Sequence, residues 1–182
     1  MDMENRKEQI IERALVHIKK RGYLSFSYDH LSKELGLTKA SIHYHFEKKE
    51  SLGLAVCDRL ETGLDQMILA INGMHIDPKE KPMEFFRMRI SHIDVDEICP
   101  ISAFQADFPY LPEILKQSVQ DVTKKELGCV AELLQDVYKN KNKNEAKAIL
   151  LLSAMKGALQ YRRAVGGEIM ETISYQLEEI LQ

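Results

Sequence analysis

The sequence has few of the residues that interrupt helices or cross-link chains. Nine glycines and five prolines are spread over 182 residues, and the three cysteines, Cys57, Cys99 and Cys129, stand far apart. An odd number of widely spaced cysteines fits neither a disulfide framework nor paired zinc ligands, so we interpret them as free thiols. No apolar run of about 18 residues is present, and the charged N-terminus lacks the apolar stretch of a signal peptide. We therefore expect a soluble, cytoplasmic protein without a membrane partner.

Common catalytic motifs are also missing from the sequence. It contains no Gly-rich phosphate loop, no HExxH, no paired-cysteine motif and no nucleophile elbow. His43 and His45 are two residues apart, which does not place two metal ligands on one helix face. We expect neither an enzyme nor a cofactor or metal site, although scattered acids in a helical chain could still form one.

The net charge of −3 is unevenly distributed along the chain. Residues 1–50 carry ten Lys and Arg against eight Asp and Glu, a balance of +2, and the remainder carries fifteen against twenty, a balance of −5. Lys39, Lys48 and Lys49 lie in one short segment, where they form a locally positive edge on an acidic protein. Such an edge favours contact with nucleic acid phosphates.

The segment 27–52 predicts two short helices joined by a tight turn. Each helix has apolar residues four positions apart, Leu31 with Leu35 and then Ile42 with Phe46. Gly36 is suited to the end of the first helix and Thr38 to the N-cap of the second. A third amphipathic helix over residues 6–21 completes the expected core of Ile11, Leu15, Ile18, Leu31, Leu35, Ile42 and Phe46. This pattern is a helix-turn-helix, whose second helix enters the major groove of DNA.

If Ile42 and Phe46 face inward, Ala40, Ser41 and Tyr44 face outward, with Lys39 and His43 on the flanks. Lys39 could reach a guanine edge, Ser41 a base or a phosphate, and Ala40 a thymine methyl group. We expect Tyr44 and His43 to hold phosphates, while solvent exposure without a DNA role stays open for each. Ser27 and Tyr28 begin the preceding helix, where a helix N-terminus favours phosphate.

The string GLTKASIHYHFEKKESL resembles the signature of the TetR family of bacterial one-component repressors. His43 stands where that family usually has tyrosine. The resemblance implies a homodimer that binds double-stranded DNA, a phosphate contact by Lys49, and phosphate contacts at Ser27 and Tyr28. The predicted DNA-binding set is Ser27, Tyr28, Thr38, Lys39, Ala40, Ser41, His43, Tyr44 and Lys49.

Beyond residue 50 the sequence predicts further helices over residues 51–71, 83–93, 101–107, 112–139 and 146–165, and a last one from residue 168. The helix over residues 146–165 is apolar nearly all round, so more than one of its faces must be covered. We expect the last two helices to form a four-helix bundle across a two-fold axis with a second copy.

Aromatic, soft or part-polar residues of the second domain suit a largely apolar or aromatic small-molecule effector, and ordinary core packing stays open for each. The predicted pocket set is Phe85, Met88, His92, Phe104, Phe108, Met155 and Tyr161. Cys99 is either a structural thiol or a redox or electrophile sensor, with only His92 as a basic neighbour in the sequence.

We thus predict an all-α protein with a DNA-binding domain over residues 1–50 and a ligand-binding and dimerisation domain over residues 51–182. The expected function is that of a ligand-responsive repressor. It would bind a palindromic operator and be released when a ligand changes the tilt of the helix over residues 51–71. The alternative is a dimeric helical interaction module with weak or lost DNA binding.

Overall fold

The computed structural model describes residues 3–181, and over that range the regular structure is helical throughout. The helices are α1 (Met3–Arg21), α2 (Tyr28–Leu35), α3 (Lys39–His45), α4 (Lys49–Asn72), α5 (Lys81–Ile90), α6 (Pro100–Asp107), α7 (Glu113–Gln135), α8 (Lys141–Val165) and α9 (Ile169–Leu181), and a short 3₁₀ turn covers Phe108–Tyr110. None of these helices is both long and apolar enough to cross a membrane. The predicted all-α class is confirmed.

The described chain divides into two compact units. The first contains residues 3–60 and 100–122, and the second contains residues 61–99 and 123–181. Helices α4 and α7 each contribute one end to each unit. The predicted boundary after residue 50 between a DNA-binding and a ligand-binding domain stays a prediction, because compactness does not locate a function.

The core of the first unit forms around α1, which packs against α2 and α6. Ile10, Ala14 and Ile18 recur at i, i+4 and i+8 and are fully buried. The helix is terminated by Gly22, which has a left-handed backbone (φ +82°) and whose N–H donates to the carbonyl of Ile18. Leu15 and Leu35, predicted as core, are only half-buried. Aromatic residues between α1 and α2 and at the start of α2 take part in the core instead: Tyr23, Phe26 and Tyr28.

In the second unit, α9 packs against both α5 and α8. Helix α5 begins at Lys81, so Pro82 lies in its first turn rather than in the predicted loop, because proline needs no N–H there. The predicted break over residues 139–144 was placed too late, because α7 ends at Gln135 and α8 begins at Lys141. Asn140 caps α8, accepting a hydrogen bond from the N–H of Lys143 at 3.2 Å, and residues 141–145 are helical.

Candidate DNA-binding site and effector region

The turn between α2 and α3 has the geometry that its sequence predicts. Gly36 ends α2 in the left-handed conformation (φ +61°), and its N–H donates to the carbonyl of Ser32. The Thr38 hydroxyl accepts a hydrogen bond from the N–H of Ser41 at 3.1 Å, which caps α3. Three residues thus connect two rigidly ended helices, as in a helix-turn-helix.

The rotation of α3 about its axis is fixed by two apolar anchors. Ile42 is fully buried and Phe46, at the helix end, is 3% exposed. On the opposite side Lys39, Ala40 and Tyr44 are exposed, with Tyr44 74% exposed. Three members of the predicted DNA-binding set therefore share one accessible face, and Ser41 at its edge is half-buried.

Lys39 is held by an acidic neighbour on α2. Its Nζ lies 2.9 Å from a carboxylate oxygen of Asp29, and both side chains are more than half exposed. The hydrogen bond and the charge of Lys39 lower the pKa of Asp29 below its ordinary value. A base contact by Lys39 would therefore compete with this exposed ion pair.

The start of α2 places its two predicted phosphate ligands differently. The Ser27 hydroxyl caps α2 by accepting from the N–H of His30 at 3.4 Å. Tyr28 is 7% exposed, and its hydroxyl donates to the carbonyl of Phe46 at 3.0 Å. In this structure Tyr28 joins the start of α2 to the end of α3, and a phosphate contact by Tyr28 stays a prediction.

His43 lies beside this junction. Its Nδ1 donates to the carbonyl of Glu47 at 3.1 Å, and its ring centroid is 4.8 Å from that of Tyr28. The bond fixes a hydrogen on Nδ1, which leaves Nε2 for other partners. His43 is exposed, so its predicted role toward phosphate remains compatible with its position.

Lys49, the first residue of α4, points toward the loop between α1 and α2. Its Nζ donates to the carbonyls of Phe26 at 2.7 Å and Leu24 at 3.2 Å. The same atom lies 4.4 Å from the ring centroid of Phe26 and 4.7 Å from that of Tyr23. Burial lowers the pKa of Lys49 below its ordinary value. Through these contacts Lys49 stabilises the loop between α1 and α2. Its phosphate contact stays a prediction.

A second side chain that stabilises the same loop was not predicted from the sequence. The carboxylate of Asp107, the last residue of α6, accepts a hydrogen bond from the N–H of Leu24 at 3.0 Å. The ring of Phe104, one turn earlier, lies 5.5 Å from that of Tyr23. No local signal could reveal this pair, because the partners are 83 residues apart.

Residues 10–56 match the family model described as bacterial regulatory proteins, tetR family. Over these residues the chain is similar to that family. Members of that family are transcriptional regulators rather than enzymes. A comparison with curated proteins gives no match.

Solved structures of similar fold include several TetR-family regulators. A TetR transcriptional regulator from Legionella pneumophila has a TM-score of 0.91 at 24% identity, covering 97% of each chain. A TetR-family regulator from Agrobacterium tumefaciens has a TM-score of 0.86 at 22% identity, covering 98% of each chain. Regulatory protein TetR from Rhodobacter sphaeroides has a TM-score of 0.82 at 17% identity, covering 94% of this chain and 96% of that one. At these identities the likeness establishes the fold.

The seven residues predicted for the effector pocket fall in different places. Phe104 and Phe108 belong to the first unit. In the second unit, Phe85 and Met155 line a small common cavity. His92 and Tyr161 are exposed, Tyr161 by 67%, and Met88 is half-buried. The pair Phe85 and Met155 is thus the part of the set that the structure brings together around a cavity.

The cavity beside Phe85 and Met155 also contains charged side chains that sequence reasoning missed. An Nη of Arg89 lies 3.0 Å from one carboxylate oxygen of Glu126, and Nζ of Lys156 bonds the other oxygen. Arg89 also donates to Sγ of Cys99 at 3.5 Å, so the expectation that only His92 is a basic neighbour of Cys99 was wrong. We name Arg89, Glu126, Lys156 and Cys99 the polar cluster.

The sequence does carry a signal for this cluster. Each charged member stands four residues after an apolar residue that is itself buried: Phe85 before Arg89, Val122 before Glu126, and Leu152 before Lys156. A charge on the buried stripe of a helix indicates a buried ion pair. It does not identify the partner.

Proposed function

We propose that this protein is a repressor that binds a palindromic operator as a homodimer and is released when a small molecule binds to residues 51–182. The observation that carries the proposal is the exposed face of α3, where Lys39, Ala40 and Tyr44 stand opposite buried Ile42 and Phe46. A short helix held in one rotation can present the same side chains to the major groove each time it docks.

The proposed DNA contacts divide by chemistry. Lys39 and Ala40 would reach base edges, and Ser41 a base or phosphate, while Tyr44, His43 and the two ends of the motif at Ser27 and Thr38 would fix the backbone. For Tyr28 and Lys49, a phosphate contact is the weaker part of the proposal, because both already bond backbone carbonyls.

The proposed dimer rests on apolar side chains that α8 and α9 leave exposed. On α8, Ile149, Leu150, Tyr161 and Val165 are between 52% and 72% exposed, and on α9 Tyr175 and Ile180 are 61% and 42% exposed. Several exposed apolar side chains on two packed helices are typical of a self-complementary interface. A two-fold dimer would set two copies of α3 about 34 to 36 Å apart, or at a multiple of that distance, as successive major grooves require.

The proposed release mechanism uses the covalent continuity of the chain. Three residues separate the end of α3 from the start of α4, which runs for 24 residues, about 36 Å at 1.5 Å per residue, into the second unit. A ligand that changes the tilt of α4 would change the spacing of the two α3 helices. A coupling of about 1 to 3 kcal/mol would change operator affinity roughly 5- to 150-fold.

The DNA proposal is tested by fluorescence anisotropy with the intergenic duplex beside the gene and with a scrambled duplex, over a series of salt concentrations. Tyr44→Ala should weaken binding to both duplexes, whereas Lys39→Ala should also reduce the preference between them. Lys139→Ala, which removes an exposed lysine of the second unit, is the charge-matched control and should behave like wild type. Absence of salt-dependent binding to either duplex would favour the helical interaction module.

The dimer proposal is tested by sedimentation velocity. Leu150→Glu places a charge on the exposed apolar face of α8 and should produce monomers. Val95→Glu introduces the same charge at a position that is 72% exposed outside α8 and α9, and should leave the dimer intact. A dimer that survives Leu150→Glu would contradict this interface.

A further inference from the structure

The polar cluster lies at one small cavity inside the second unit. Among the charged residues that line it, Arg89 and Lys156 carry two positive charges and Glu126 carries one negative charge. Arg89, Glu126 and Lys156 are 16%, 2% and 18% exposed, so all three are largely removed from water. The lining therefore holds two partly buried positive charges and one buried carboxylate, so its own charges leave one positive charge in excess.

The rest of the lining is apolar and aromatic. It consists of Phe85, Phe86, Ile90, Ile93, Leu152, Met155 and Leu159, together with Cys99. Arg89 and Lys156 share the single carboxylate of Glu126, and a second carboxylate that reaches them would form strong, charge-assisted hydrogen bonds in these surroundings. Apolar walls favour a hydrocarbon body.

From these observations we infer that the polar cluster and its cavity bind an apolar molecule bearing a single carboxylate, which Arg89 and Lys156 would hold. This inference rests on the proposed function in taking the second unit as the effector-binding part. It adds the chemical class of the effector and the two residues that select it.

The cavity has a volume of about 20 Å³, which is enough for about one water molecule. Ligand sites are commonly about 300 to 1,000 Å³, so the ligand enters only if α5, α7 and α8 move apart. These three helices supply Arg89, Glu126 and Lys156 respectively. A ligand carboxylate competes with Glu126 for the same two cations, which weakens the bonds that hold the helices together.

The position of Glu126 gives this competition a route to the first unit. Helix α7 carries Glu126 in the second unit, and its residues 113–122 belong to the first. Cys99, the remaining member of the cluster, immediately precedes Pro100, where α6 and the first unit resume. Displacement of Glu126 by a ligand would therefore act on a helix that both units share.

The test compares three probes with the same hydrocarbon chain, octanoate, octan-1-ol and octylammonium, by isothermal titration calorimetry without DNA. Octanoate should bind the wild-type protein about tenfold tighter than the alcohol, because the carboxylate forms at least one charge-assisted hydrogen bond that the hydroxyl cannot. Octylammonium should bind more weakly than either, because its charge is repelled by Arg89 and Lys156. Equal affinities, or no binding by octanoate, would overturn the inference without any variant.

Variants locate the site. Lys156→Gln leaves Arg89 and Glu126 as a balanced pair and should abolish the preference for octanoate. Glu126→Gln removes the competing carboxylate and should raise octanoate affinity about tenfold. Arg87→Gln is the matched control on α5, because Arg87 is 53% exposed and pairs with Glu84 and Glu178 instead.

Two further outcomes distinguish binding at the polar cluster from binding at another surface of the protein. An octanoate preference that persists in folded Lys156→Gln would place the probe elsewhere, for example in the open groove of about 400 Å³ lined by residues of α7 and α8 such as Leu127 and Ile149, and would overturn the inference. If Lys156→Gln does not fold, the inference is tested by the octanoate affinity of Glu126→Gln and by the comparison of octanoate, octan-1-ol and octylammonium on the wild-type protein. A protein that binds its operator but shows no preference rejects this inference alone, whereas preference without DNA binding rejects the proposed function alone.

Discussion

The hydroxyl of Tyr28 allows the structural and DNA-contact roles of one residue to be separated. It donates to the carbonyl of Phe46 at 3.0 Å from a side chain that is 7% exposed. A tyrosine hydroxyl has a single hydrogen, and a phosphate oxygen only accepts. Tyr28 therefore cannot donate to a phosphate while it holds the end of α3. We expect its main contribution to be the stability of the helix-turn-helix.

The magnitude follows from the environment of that bond. Tyr28→Phe keeps the ring, whose centroid lies 4.8 Å from that of His43, and removes the hydroxyl alone. Loss of a buried hydrogen bond whose acceptor stays behind destabilises a protein by about 1 to 2 kcal/mol. Tyr44→Phe is the matched control, because Tyr44 is 74% exposed and its change should stay within about 0.5 kcal/mol.

The two variants should have opposite effects in two assays. Urea denaturation followed by circular dichroism, at one protein concentration, should give a lower midpoint for Tyr28→Phe and an unchanged one for Tyr44→Phe. DNA binding measured well below the midpoint should be near wild type for Tyr28→Phe and weaker for Tyr44→Phe. A Tyr28→Phe protein with an unchanged midpoint and clearly weaker binding to both specific and scrambled duplexes would refute this reasoning.

Three further predictions concern titration and backbone geometry. Burial raises the pKa of Tyr28 to about 12 from 10.0, and that of Tyr23 further, so the folded state favours the neutral phenols. The resulting stability should be fully present below pH 10.0 and be lost as pH rises through about 12, and phenolate absorbance of Tyr28→Phe should lack one late-titrating group. In urea denaturation, Gly22→Ala should lower the free energy of unfolding more than Gly36→Ala, by about 1 kcal/mol or more. Both positions need a left-handed backbone, but only at Gly22 would a Cβ lie 2.8 Å from Asp107 Oδ2, so equal losses would exclude the clash. Burial raises the pKa of the Cys129 thiol to about 11, so mass spectrometry should find it unmodified by iodoacetamide in the folded protein near neutral pH, and alkylation as fast as in urea would contradict this.

The helix-turn-helix was predictable because its determinants are local. Leu31, Ile42 and Phe46 mark the buried sides of two helices through their spacing, and Gly36 and Thr38 end and begin them through backbone conformation and one short hydrogen bond. Each of these interactions joins residues a few positions apart. The all-α class and the exposed face of α3 follow from the same periodicity.

Predictions that depended on side-chain direction were less complete. Lys49 and Tyr28 were predicted to contact phosphate, and the fold gives both of them backbone carbonyls as partners. Asp29 was available from the sequence as an acid near Lys39, but the 2.9 Å ion pair depends on how α2 and α3 pack. Periodicity gives the side of a helix on which a residue lies, and packing decides what it meets there.

What the sequence alone determined about this protein is the type and order of its helices and the rotation of the helix proposed to enter DNA, because periodicity and caps act over one or two turns. What only the tertiary structure decided is which distant groups meet: Asp107 with the N–H of Leu24, and Arg89 and Lys156 with Glu126. Those partners lie between 30 and 83 residues apart, and no local pattern encodes a distance across the fold.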